Sequence, residues 1–130
     1  MKKSNYKSKI RVVNAGISGN HDKMKLSQSS QTMAARAKDQ FFGKEVNVYS
    51  LNEVLPKSRN IIIKCDCEGE EHKSFHEKVE LKSVYKMQIE YHGGVKELVN
   101  ILKRKGFKVR TKKIALTLTS GEVGWIFAWR

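Results

Sequence analysis

Between Val95 and Trp129 the hydrophobic period changes once, from about 3.6 residues to 2, and the change dictates a helix followed by a β-hairpin. Val95, Leu98, Val99 and Leu102 fall at i, i+3, i+4 and i+7, one stripe of a short amphipathic helix that Gly106 closes. Ile114, Leu116 and Leu118, then Val123, Trp125, Phe127 and Trp129, recur at every second position around a Ser120-Gly121 turn. On that parity Trp125 and Trp129 share a face with Val123 and Phe127, and burial of that face is expected over exposed stacking on bases, although a terminal strand could leave Trp129 at the edge.

The junction between helix and hairpin is cationic. Seven of the eleven residues from Lys103 to Lys113 are basic (Lys103, Arg104, Lys105, Lys108, Arg110, Lys112 and Lys113), and none is acidic. A regular strand from Lys108 to Leu118 would place Lys108, Arg110 and Lys112 on the face of Ile114, Leu116 and Leu118. A bulge near Thr111 to Lys113, or a strand end projecting past the core, resolves the conflict. Either arrangement presents the charges at a rim.

Upstream, Ser27 to Phe42 reads as a helix, with Ser27, Ser29 or Ser30 as cap, Met33, Ala34, Ala37 and Phe41 on one face, and Gly43 as its stop. Val46 and Val48 alternate with polar residues, Leu51 to Pro56 reads as a turn or short helical piece, and Ile61, Ile63, Cys65 and Cys67 share one strand face. From Val79 to Tyr91 the odd positions are mostly apolar and the even ones mostly Lys, Glu or Gln, which predicts one long half-buried strand. The expected fold is a single small α+β domain with an antiparallel sheet, two helices and a C-terminal hairpin over residues 27–130. Residues 1–26 read as a basic N-terminal arm in which Ile10 to Val13 could add one short strand.

Charge bounds the partners. The chain has 130 residues, 26 Lys plus Arg against 13 Asp plus Glu, and a formal net charge of +13. Met1–Lys44 and Glu77–Arg130 are both strongly basic and enclose a mildly acidic middle. No apolar stretch is long enough to span a membrane, and the Lys-rich start leads into Ile10-Arg11-Val12-Val13-Asn14, so no membrane partner and a cytoplasmic location are expected. Cys65 and Cys67, the only cysteines, are too close for an ordinary disulfide and fit a reducing compartment.

Two constellations compete for the acidic middle. Cys65, Cys67, His72 and His76 could meet at zinc if a strand–turn–helix brought them together, and the spacing resembles the short zinc-knuckle pattern, departing from it in cysteine spacing and last ligand. Alternatively, Cys65 and Cys67 merely extend the buried face of Ile61 and Ile63. Asp66 followed by Glu80-Leu81-Lys82 resembles the Asp…Glu-x-Lys signature of restriction-like nucleases. That resemblance implies Asp66 and Glu80 as Mg²⁺ ligands and Lys82 as catalytic support, with Glu45 as a fourth member. The competing explanation places Glu80 and Lys82 on the wet face of an amphipathic strand. Phosphate-cradling loops, dinucleotide fingerprints and Gly-x-Ser-x-Gly are absent.

The expected function is therefore non-enzymatic binding of nucleic acid, DNA or RNA, or assembly of a nucleoprotein, with no cofactor. Lys103, Arg104, Lys105, Lys108, Arg110, Lys112 and Lys113 would contact phosphates, with Lys2, Lys3, Lys7, Lys9 and Arg11 as an auxiliary clamp, because phosphate contact releases condensed counterions. Two alternatives stand beside it: a protein-binding inhibitor or accessory factor using its acidic segment 66–71, and a metal-dependent nuclease.

Overall fold

The computed structural model describes residues 10–26, 44–118 and 121–130. The helix expected at Ser27–Phe42, the lysines of the first nine residues and the tip of the C-terminal hairpin lie outside them. Among the described residues the chain forms two mixed sheets and three helices, the α+β class expected.

The smaller sheet joins β1 (Gly16–Ser18), β2 (Asp22–Leu26) and β3 (Lys44–Ser50) in the order β1-β3-β2. Ile10–Val13 forms no strand, and the polar stretch after it supplies β1 and β2 instead. Gly19 permits this docking, because a Cβ there would lie 2.9 Å from the Lys73 carbonyl. At the end of β3, the Ser50 N–H and hydroxyl both donate to Glu53 Oε2 at 2.8 Å and open helix α1 (Leu51–Val54).

The larger sheet has the order β4-β5-β7-β6, built from β4 (Ile61–Cys65), β5 (Val84–His92), β6 (Lys108–Thr117) and β7 (Gly121–Trp129). A four-residue helix α2 (Glu71–Ser74) joins β4 towards β5, and α3 (Val95–Arg104) joins β5 to β6. β4 and β5 are parallel and β7 is antiparallel to both β5 and β6, so the sheet is mixed where a purely antiparallel one was expected. The β5–α3–β6 unit is a split β-α-β crossover with β7 inserted between its two strands.

One face of this sheet carries the core. Met87, Ile89 and Tyr91 of β5 and Ile126 and Ala128 of β7 pack against Leu98 and Leu102 of α3, Phe75, and Val79 and Leu81 of the connecting loop. Ile61, Ile63 and Cys65 join them at the other edge, as their alternation requires. The long strand expected from Val79 is broken by a turn in which the Val84 N–H donates to the Leu81 carbonyl at 3.0 Å. The turn shifts the parity, so Val84 is buried, and a register slip that leaves Tyr85 exposed between Val84 and Lys86 shifts it back, so Met87, Ile89 and Tyr91 keep their expected places.

Candidate nucleic-acid interface

The face opposite the core is composed by register. Across β6 and β7, Lys108 pairs with Trp129, Arg110 with Phe127 and Lys112 with Trp125, and residues directly opposite each other project from the same face. On the other side of β7, Lys86 pairs with Trp129, Gln88 with Phe127 and Glu90 with Trp125. Ile62 and Lys64 of β4 continue the same face beside Lys86 and Gln88. The result is a row of three aromatic rings along β7, spaced about 7 Å apart by the strand repeat, with the cationic row of β6 on one side and the mixed row of Lys86, Gln88 and Glu90 on the other.

The expectation that the face of Trp125 packs into the core is therefore overturned: Trp125 is half-buried on the opposite face, and Trp129 is exposed, as a place at the edge of a terminal strand allowed. Their even-numbered neighbours Gly124, Ile126 and Ala128 face the core, where Tyr91 and the α3 leucines already fill the space and only modest side chains fit. Phe127 and Trp129 each remain 37% exposed and Ile62 71%, and all three helices lie outside this face. Among the described residues nothing packs over it, and Ile62, Lys64, Lys86, Gln88, Arg110, Phe127 and Trp129 line an open trough of about 850 Å³.

The cationic run is divided by the fold. Lys108, Arg110 and Lys112 stand exposed on the open face. Gly106, at φ 85°, turns the chain between them and α3, leaving Lys103 exposed on the helix side of the sheet. Arg104 and Lys105 hold the protein's own loop: Arg104 Nε donates to Glu77 Oε1 at 2.9 Å, and Lys105 Nζ donates to the carbonyls of Glu77 and Val79 at 2.5 and 2.9 Å. Lys113 pairs with Glu122 at 3.2 Å on the core side. Of the seven expected phosphate contacts, three share the aromatic face. Lys64 and Lys86 join them, a grouping invisible without the register. Arg11 is exposed in a segment outside any strand, and Lys2, Lys3, Lys7 and Lys9 lie outside the described residues.

The face conflict in β6 is resolved in both expected ways. The register slips between Lys113 and Ala115, so Ile114 is a bulge, and the strand then runs past the core with Leu116 75% exposed.

The nuclease constellation is not assembled. Asp66 lies beside His92 at the C-terminal end of β5, whereas Glu80 and Lys82 precede the first residue of that strand, whose nine residues span roughly 26 Å at 3.3 Å per residue. Glu80 and Lys82 are wet, 3.9 Å apart, and the Glu80 N–H donates to Asn52 Oδ1 at 2.7 Å. Glu45 pairs with Lys23 at 2.8 Å.

The four expected zinc ligands also part company. Cys65 and Cys67 come together, Sγ to Sγ 3.4 Å, and Cys67 Sγ lies 3.7 Å from Glu71 Oε2. The contact with Cys65, burial and the Glu71 charge all push the Cys67 thiol up, so it stays protonated. His72 Nε2 bonds the His92 carbonyl at 2.9 Å and His76 Nε2 bonds the Gly19 carbonyl at 3.2 Å, which fixes both imidazoles to backbone. A different group forms nearby from Asp66, Glu68 and His92. Desolvation and the neighbouring charges of Asp66, Glu68 and Glu71 push the Glu90 carboxyl up, His92 opposing them.

No protein-family model, curated protein or solved structure matches this chain.

Proposed function

We propose that this chain binds single-stranded nucleic acid on the open face of its larger sheet. The observation that supports the reading is the pairing of Lys108, Arg110 and Lys112 with Trp129, Phe127 and Trp125 on a face the helices leave uncovered. Aromatic rings on a sheet surface stack on unpaired bases, and flanking cations follow the phosphate backbone. Stacking is tolerant of base identity, because every base has a π-face, so the sequence preference is weak. Duplexes bind less well, since their base faces are already stacked on one another.

The test is a fluorescence titration with an unstructured 15-nucleotide single strand. Trp125 and Trp129 emission should be quenched, and Phe127→Ala should weaken binding roughly 5- to 150-fold, the equivalent of about 1–3 kcal/mol per stacked base. Unquenched emission together with unchanged affinity in Phe127→Ala would overturn the reading.

A further inference from the structure

Because β4 and β5 are parallel, their C-terminal ends lie side by side, and the loop after β4 folds back across them. Glu68, at φ 52°, and Gly69, at φ 107°, make that reversal. It brings one oxygen each of Asp66 and Glu68 and a ring nitrogen of His92 within 4.8 Å of one another. Asp66 is exposed, so the cluster opens to solvent.

The imidazole is held in place from behind. Its side chain is only 9% exposed, and Nδ1 lies 3.3 Å from Oε1 of Glu71, which is itself fully buried. Glu71 is fixed in turn by the backbone N–H groups of Gly69, at 2.8 Å, and His92, at 2.5 Å. Nε2 faces Glu68 Oε2 at 3.6 Å, beyond hydrogen-bond length. A buried carboxylate that grips one imidazole nitrogen and leaves the other aimed at further donors is the arrangement that orients metal-binding histidines.

We infer that Asp66, Glu68 and His92 Nε2 form a binding site for a divalent first-row transition cation, with Glu71 as the positioning residue for His92. One nitrogen and two carboxylate oxygens suit Zn²⁺ or Mn²⁺, whereas Ca²⁺ takes six to eight oxygens. Three protein ligands leave coordination positions open to water or to an oxygen of an incoming anion. The inference stands on this cluster alone and does not depend on nucleic-acid binding.

Zinc titration of the chelator-stripped full chain, against a chromophoric competitor, tests it. A single Zn²⁺ per chain should bind, and Asp66→Asn and Glu68→Gln should each weaken it at least tenfold, with the Cys65→Ser/Cys67→Ser pair within twofold of the parent. Long-range ¹H–¹⁵N spectra should show zinc shifting the Nε2 resonance of His92 and leaving those of His72 and His76 in place. Glu71→Gln should alter the His92 tautomer balance before metal is added, with an unchanged circular dichroism spectrum. Absence of a saturable site, full affinity in Asp66→Asn, or a loss confined to the cysteine pair would overturn the inference. Asp66→Asn changes one exposed side-chain atom, so misfolding does not confound it.

Discussion

Tyr91 and Gly124 face each other across β5 and β7, and the tyrosine occupies the space that a side chain at 124 would need. A Cβ on Gly124 would lie 2.6 Å from Tyr91 Oη and 2.5 Å from the Lys112 carbonyl. The phenol donates to Glu122 Oε1 at 2.7 Å, and burial together with that bond pushes its pKa up to about 12. Gly124→Ala should therefore destabilise the fold by about 1–3 kcal/mol, the usual cost of overpacking. Chemical denaturation checks this, and a midpoint equal to the parent's would show that the strands can part at no cost.

That glycine also explains where sequence reading failed. Along β7 the odd positions Val123, Trp125, Phe127 and Trp129 are all apolar and include all three aromatic residues, and that pattern alone assigns them to the core. The core face belongs instead to Gly124, Ile126 and Ala128, because Tyr91, Leu98 and Leu102 approach from the other side and leave little room. Complementarity of volumes across a sheet involves residues far apart in sequence, and periodicity within one strand does not contain it. Helix α3 was legible because its stripe of Val95, Leu98, Val99 and Leu102 is local. The turn at Leu81–Val84 was not, having neither glycine nor proline to mark it. The three-residue cluster of Asp66, Glu68 and His92 was equally hidden, since His92 reaches the loop only through the parallel pairing of β4 and β5.

Glu53 gives the fold an acid-sensitive contact. Its carboxylate accepts hydrogen bonds from the Ser50 N–H, the His21 ring and the Ser50 hydroxyl, which together hold its pKa at about 2, below the ordinary 4.5. The charged form is the one the folded state favours, so its contribution is complete above pH 4.5 and is lost as pH falls towards about 2. Glu53→Gln should thus be less stable than the parent at pH 6, and the difference should shrink across that acid window. Urea denaturation at several pH values measures it, and a gap that stays constant with pH would contradict the assignment.

Lys105 is expected to matter for stability and not for ligand binding. Its ammonium caps the carbonyls of Glu77 and Val79, and Lys105→Met leaves both without that partner. The loss should be about 1–3 kcal/mol, with nucleic-acid affinity within about twofold of the parent. Thermal unfolding and a gel-shift assay on the same preparation separate the two roles, and a stable variant with lost affinity would reverse them.

The central claim is that nucleic acid occupies one particular face, and two charge reversals of equal size test it most directly. Lys108→Glu/Lys112→Glu alters the open face, whereas Lys96→Glu/Lys103→Glu makes the same change in net charge on α3, behind the sheet. Affinity for a 15-nucleotide single strand is measured for both at low salt and again across a salt series. The face variant should lose binding at least tenfold and show a shallower dependence of log affinity on log salt, with the helix variant close to the parent. Equal losses in the two variants would mean that the chain attracts nucleic acid by net charge alone, and the aromatic face would lose its assigned role.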